Sequence, residues 1–340
     1  MSSSELAKVA AFDAAGRHTE AIAALARATS AGDVDAMAAL GLRLLLGDRS
    51  PSIPLEGARF LLEAAQRGHP EAQARAAALL AGGVGVPQDW PAALKLLGEA
   101  AASGNQSARL QLCALCASAD PAPNWARLAS GFDLAGWLRE PVSVRVHENP
   151  LIARFQELLP DAVCQWLIDQ SRGRLVRARV YDPIVRRETI DEMRSNTAAT
   201  FGMAHVSALH FLVQARLAQA CRVPMNHFEA PAVLHYAVGE QITPHFDFID
   251  PRLPDYAQQI GTQGQRRFTF LIYLNDAYEG GETAFPELGI VHRGAQREGL
   301  LLRNTDGQDN PDMRTLHAGR PPTSGEKWLF SQFIRKSPVR

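Results

Sequence analysis

The sequence predicts a multidomain chain of α and β structure, with an N-terminal α-solenoid of helical hairpins and a C-terminal β-rich domain braced by helices. Two observations predict it. A five-residue pattern recurs at a spacing of 36 residues in the first third of the chain, and from about Val142 alanine-rich stretches give way to alternating, strand-like runs. A length of 340 residues with an apolar fraction of 46% supplies material for two buried cores.

The recurring segments are Gly32-Asp33-Val34-Asp35-Ala36, Gly68-His69-Pro70-Glu71-Ala72 and Gly104-Asn105-Gln106-Ser107-Ala108, with Ala28, Ala64 and Ala100 in the same register. Within one period, Ala72 to Leu80 predicts a helix, Gly82 to Pro87 a turn, and Trp90 to Ser103 a second helix stopped at Gly104. Each period is a helical hairpin whose small alanines let neighbouring helices approach closely, and whose apolar faces are buried only against the next hairpin. Residues Gly82 to Asn105 (GGVGVPQDWPAALKLLGEAAASGN) resemble Sel1-like repeats, relatives of the tetratricopeptide family, and the resemblance extends over roughly residues 16 to 118. It implies a solenoid over residues 1–118 that serves as a surface for a protein partner or as a platform for the next domain. Asp120-Pro121-Ala122-Pro123 breaks the pattern, so residues 119–140 are expected to connect the solenoid to a domain at residues 141–340.

Composition narrows the function classes. A formal net charge of -1 argues against nucleic acid or an anionic membrane surface as partner. No uninterrupted apolar run reaches the length of about 18 residues that reads as a membrane span, and acidic Glu5 and Asp13 argue against a cleaved signal, so a soluble, cytoplasmic protein is expected. Cys113 and Cys116 have the spacing of half a zinc site or a redox pair, but Cys164 and Cys221 stand alone, which favours ordinary structural thiols.

The chemistry concentrates in the second half. Ala232 to Gly239 predicts a strand, and after Gln241-Ile242-Thr243-Pro244 come His245 and Asp247, which in extended chain point to the same side and can share one metal. Arg267 to Leu274 predicts another strand, and His317, 72 residues beyond His245, precedes a final strand over Leu329 to Ile334. Two imidazoles and one carboxylate suit Fe(II), because they leave adjacent positions open on the metal. The same three ligands would also serve a zinc hydrolase. An HxD pair by itself is more often a surface or hydrogen-bonded pair.

Three blocks carry a second resemblance: Leu234 to Asp247 (LHYAVGEQITPHFD), Arg266 to Pro286 (RRFTFLIYLNDAYEGGETAFP) and Thr315 to Ile334 (TLHAGRPPTSGEKWLFSQFI). They look like the prolyl 4-hydroxylase type of Fe(II)- and 2-oxoglutarate-dependent dioxygenase, over roughly residues 150 to 336. The resemblance implies a double-stranded β-helix of the jelly-roll class, with helices over Asp161 to Ser171 and His205 to Cys221 against one sheet. It makes His245, Asp247 and His317 the iron ligands, and Lys327 the partner of the distal carboxylate of 2-oxoglutarate. Tyr236 and Thr269 become co-substrate hydrogen-bonding residues, with barrel filling as their other reading. The implied cofactors are Fe(II), the co-substrates 2-oxoglutarate and O2, and ascorbate as reductant. The implied reaction is hydroxylation of a prolyl residue in a peptide or protein, with release of succinate and CO2. A free amino acid or other small molecule, and a catalytically silent repeat scaffold, are the alternatives. Relatives that halogenate replace the ligand carboxylate with a small residue, so Asp247 implies hydroxylation.

Three further expectations complete the reading. Tyr181 to Thr200 and Asp250 to Gln265 read as polar loops that select the substrate, with Arg194-Ser195-Asn196 available to a peptide backbone. Arg293 to Asn304 departs from the family pattern and contributes no functional residue. His235 faces outward on its strand, while His210, His227 and His292 lack ligand spacing.

Overall fold

The computed structural model describes residues 3–120, 122–178, 180–182, 187–189 and 194–339, and divides into two compact units. Met1–Leu134 with Met203–Leu212 forms one; Ala135–Gly202 with Val213–Arg340 forms the other.

The first unit is an α-solenoid built from α1 (Ser3–Ala14), α2 (His18–Ser30), α3 (Val34–Leu46), α4 (Pro54–Gln66), α5 (Pro70–Gly82), α6 (Trp90–Ala102) and α7 (Gln106–Cys116). The repeated pentapeptide has a local cause. Gly32, Gly68 and Gly104 adopt φ of 87°, 86° and 94°, which reverse the chain at a helix end where a side chain would be strained. The next residue, Asp33, His69 or Asn105, caps the following helix by accepting from the backbone N–H of Ala36, Ala72 or Ala108. Those three alanines are fully buried, as are Ala64 and Ala100. The period therefore repeats one reversal, one cap and one small contact residue.

Residues 119–140, expected as a connection, hold α8 (Trp125–Ser130) and α9 (Leu134–Trp137). The Asn124 side chain caps α8 by accepting from Arg127 N–H. Helix α8 lies so close to α6 that a Cβ on Gly98 would come within 2.9 Å of the Ala129 Cβ. The repeat pattern ends here, but helical packing continues.

The second unit is a double-stranded β-helix. Its strands are β1 (Ser143–His147), β2 (Ile152–Phe155), β3 (Val176–Arg177), β4 (Val180–Asp182), β5 (Arg187–Thr189), β6 (Thr197–Thr200), β7 (Ala232–Tyr236), β8 (Ile242–His245), β9 (Arg266–Tyr273), β10 (Tyr278–Gly280), β11 (Thr283–Phe285), β12 (Ile290–His292), β13 (Gly299–Arg303), β14 (His317–Gly319), β15 (Pro322–Gly325) and β16 (Lys327–Arg335). Eight pair as a major sheet in the order β1-β2-β13-β9-β16-β7-β6-β3, and four form a minor sheet in the order β12-β11-β14-β8. Strand β16 is paired on both sides, with Lys327 opposite Tyr236 on β7 and Leu329 opposite Tyr273 on β9. Ile152, Leu234, Tyr273, Phe285, Leu302 and Leu329 belong to one buried cluster between the sheets. Helix α10 (Asp161–Arg172) buries Val163, Cys164 and Leu167. From α11 (Ala208–Cys221), the Gln214 Nε2 donates to Gln332 Oε1 on β16 at 2.7 Å.

Both expected loops contain regular structure. Within Tyr181 to Thr200 lie the hairpin of β4 and β5 and the sheet strand β6; residues 183–186 and 190–193 of that stretch are outside the described residues. Within Asp250 to Gln265 lies α12 (Pro254–Gln263), started by a proline in its first turn. No helix among the described residues is long and apolar enough to cross a membrane. All four cysteines are free thiols, and burial pushes Cys164 and Cys221 up to about 12.

Candidate metal centre and co-substrate cavity

Strand pairing brings the three candidate ligands together. His317 opens β14 directly opposite His245 at the end of β8, and Asp247 follows two residues later. The ring centroids of His245 and His317 are 4.4 Å apart. Asp247 lies between them, Oδ1 at 3.5 Å from His245 Nε2 and Oδ2 at 3.2 Å from His317 Nε2. A ligand atom from each of the three residues lies within 4.8 Å of the other two.

The tautomers fit a cation. His245 Nδ1 donates to Thr243 O and His317 Nδ1 donates to Thr315 O, each at 2.9 Å. A carbonyl oxygen only accepts, so each Nδ1 carries hydrogen and each Nε2 faces the shared space, where a bound cation would take its lone pair in place of a proton. Burial opposes charge on Asp247, but His317 and His245 hold its carboxyl well below the usual carboxylate range. Burial likewise opposes charge on His317, and Asp247 nevertheless raises it above the ordinary histidine value. Two imidazoles and one anionic carboxylate make a donor set suited to Fe(II). The side chain of His245 is 30% exposed, against 9% and 7% for Asp247 and His317, so the cluster opens on the His245 side.

These residues line a cavity of about 1030 Å³ that also takes in Tyr236, Thr283 and Lys327. Lys327 is fully buried, and its Nζ donates to Gly281 O at 2.6 Å. It lies 5.3 Å and 5.6 Å from the ring centroids of Tyr236 and Tyr273. Burial pushes the ammonium down to about 7, against the weaker pull of Glu282. Among the described residues that carbonyl is its one hydrogen-bond partner, and such a buried lysine is suited to an anion. Burial pushes the Tyr236 hydroxyl up to about 12, which keeps it a neutral hydrogen-bonding group.

Thr269 has a different partner from the one the resemblance implies. It is buried, its hydroxyl donates to Asp247 Oδ2 at 2.8 Å, and it accepts from Asn304 Nδ2 at 2.9 Å. Thr283 does line the cavity, and its hydroxyl shares a hydrogen bond of 2.8 Å with Tyr273 OH. His235 lies on the opposite face of β7 from Tyr236, 4.3 Å from the Trp328 ring and hydrogen-bonded to Glu326.

Two further residues near the site escaped sequence reasoning, Glu229 in the cavity wall and Asn304 behind it. Glu229 takes a two-pronged hydrogen bond from Arg266 and another from Arg335, and the two guanidiniums hold its buried carboxyl below the ordinary value. Asn304 ends the stretch that departs from the family pattern. No spacing rule reaches either group, because their partners lie 35 to 106 residues away in sequence.

Residues 231–335 match the model of the 2OG-Fe(II) oxygenase superfamily. This segment is a 2OG-Fe(II) oxygenase domain. A wider stretch that covers 56% of this chain is 29% identical over 189 residues to prolyl 4-hydroxylase subunit alpha-1 of Rattus norvegicus. That alignment covers 35% of the rat protein, so the chain spans about a third of the length of that relative. Among solved structures, the viral collagen prolyl hydroxylase of Paramecium Bursaria Chlorella virus-1 is 22% identical, with a TM-score of 0.42 and coverage of 54% of this chain and 94% of that one. A Sel1 repeat protein from Oxalobacter formigenes is 32% identical over 28% of each chain, with a TM-score of 0.27.

Proposed function

We propose that the chain is an Fe(II)- and 2-oxoglutarate-dependent dioxygenase that hydroxylates a prolyl residue of a peptide or protein, releasing succinate and CO2. The observation that carries the reading is the meeting in one cavity of the His245, Asp247 and His317 cluster with Lys327, a buried lysine that makes no salt bridge among the described residues. A zinc hydrolase needs the first feature and has no use for the second. The prolyl assignment draws on the names of the curated relatives, and an intact Asp247 favours hydroxylation.

In this reading His245, Asp247 and His317 hold Fe(II) through the two Nε2 atoms and the carboxylate. The bound iron supplies the activation of O2, coupled to oxidative decarboxylation of the co-substrate. Lys327 binds and neutralises the distal carboxylate of 2-oxoglutarate, and the aromatic faces of Tyr236 and Tyr273 exclude water around it. Thr243 O and Thr315 O keep the imidazoles in the tautomer that presents Nε2. Ascorbate serves as reductant. The Sel1-like unit is a surface for a protein partner.

The test is succinate formation from 2-oxoglutarate by anaerobically purified protein given Fe(II), ascorbate and O2, with His245→Ala and Asp247→Ala alongside. Turnover abolished in both variants is expected. No turnover, together with no 2-oxoglutarate binding to the iron-loaded protein, refutes the reading.

A further inference from the structure

Asp247 is the one candidate ligand whose orientation depends on side chains from strands remote in sequence. Its Oδ2 accepts from the Thr269 hydroxyl on β9, and Thr269 Oγ1 accepts from the amide of Asn304, which follows β13. All three side chains are buried, and Asn304 is fully so. The direction of the chain follows from what each group can do: a carboxylate only accepts, and a hydroxyl has one proton. Thr269 therefore gives its proton to Asp247 and takes one from Asn304 Nδ2. Reversing the Asn304 amide would require that single proton to serve two acceptors. The orientation that satisfies Thr269 leaves Asn304 Oδ1 buried with no hydrogen-bond partner, a local cost borne to keep the Thr269 proton aimed at Asp247.

Asn304 also reaches the second buried ligand through its main chain. Its carbonyl accepts from Asp312 N–H at 3.1 Å, and the Asp312 carbonyl accepts from both the backbone N–H and the hydroxyl of Thr315. The Thr315 carbonyl in turn holds His317 Nδ1. Arg267 O on β9 accepts from Asn304 N–H at 2.8 Å, which anchors the residue to the strand that carries Thr269.

Building on the reading of the triad as a metal site, we propose that Thr269 and Asn304 are positioning residues. Thr269 engages Asp247 Oδ2, Asn304 holds Thr269 in place, and Oδ1 is left to bind the divalent cation through a single oxygen. A carboxylate held by one oxygen preserves the open positions that the co-substrate and O2 require, whereas a carboxylate free to rotate would compete for them.

The test compares full-length wild type with Thr269→Val, Thr269→Ser, Asn304→Leu and His245→Ala, using Co(II) as the probe. Equilibrium dialysis gives affinity, and the visible Co(II) spectrum reports ligand geometry. Thr269→Val, which keeps shape and removes the proton, is expected to bind Co(II) about 10–100-fold more weakly and with an altered spectrum. Thr269→Ser should return close to wild type, a rescue that packing alone would not predict. Asn304→Leu should weaken binding in the same direction; if it fails to fold, Thr269→Val carries the comparison. Wild-type affinity and spectrum in Thr269→Val, with binding lost in His245→Ala, would overturn this proposal and leave the metal site standing. No Co(II) binding by wild type would overturn both.

Discussion

At the scale of the residue, Lys327 is where burial and charge conflict most sharply. Its folded value of about 7 lies below the ordinary lysine value of about 10.4. Between those values the unfolded chain holds more protons than the folded one, so Lys327 makes stability rise with pH across that window and fall as pH drops toward 7. Urea unfolding at pH 7, 8 and 9 should show this slope in ligand-free wild type and a flatter one in Lys327→Met. Co-substrate binding has the opposite sign, since the anion needs the ammonium: 2-oxoglutarate affinity of the Co(II)-loaded protein should fall above pH 7, by at most about tenfold per unit. An affinity indifferent to pH from 6.5 to 8.5 would mean that Lys327 does not hold the anion. That His245, Asp247, His317 and Lys327 line one cavity agrees with their selection from the sequence, the first three as candidate ligands and Lys327 through the motif resemblance. The partner of Thr269 was not legible there, because strand pairing sets it: β13 runs beside β9 with Leu302 opposite Thr269, and delivers Asn304 from 35 residues away.

At the scale of the element, close approach and backbone clamps decide what the sequence pattern only suggests. Helices α3 and α4 touch at glycines: a Cβ on Gly57 would stand 2.4 Å from Leu45 N and 2.6 Å from Gly41 O, both backbone atoms that cannot step aside. Gly57→Ala should therefore destabilise the helical unit by about 1–3 kcal/mol, read as a lower thermal midpoint of the far-ultraviolet helical signal. An unchanged midpoint would mean that the helices separate freely. Strand β16 is held differently. The Asn275 side chain donates to Glu326 O at 2.8 Å and accepts from Trp328 N–H at 2.9 Å, gripping the backbone on both sides of Lys327. Asn275→Ala should raise the KM for 2-oxoglutarate several-fold while Co(II) affinity holds; a parallel loss of both would make Asn275 a general stabiliser. The α12 region shows why part of this level was illegible. Its polar sequence reads as loop, yet Gln265 exchanges two hydrogen bonds with the backbone of Ile249, at 2.6 and 2.7 Å, and fixes the segment that follows Asp247.

At the scale of the whole molecule, the two units were legible to different degrees because their order has different reach. The helical unit repeats one reversal, cap and alanine contact, so a period in the sequence is already a statement about its architecture. In the β unit, β13 lies between β2 and β9, and β16 between β9 and β7. No strand pattern announces such an order, and only the motif resemblance supplied it. The same long reach would give a cation at the proposed site an effect on folding. His245 ends β8, His317 opens the adjacent β14, and Asp247 is tied through Thr269 to the major sheet, so a cation joins segments that lie together only in the folded chain. Such a cation would bind the native state in preference to the unfolded one, and at a free concentration of 100 times its Kd it should add about 2.7 kcal/mol of stability. Thermal scans of chelated and Co(II)-loaded protein, followed by the sheet signal, should show that gain in wild type and none in His317→Ala. Equal gains in both would place the cation elsewhere, whereas a gain confined to wild type would show that the three ligands act as one site spanning strands that the sequence keeps 72 residues apart.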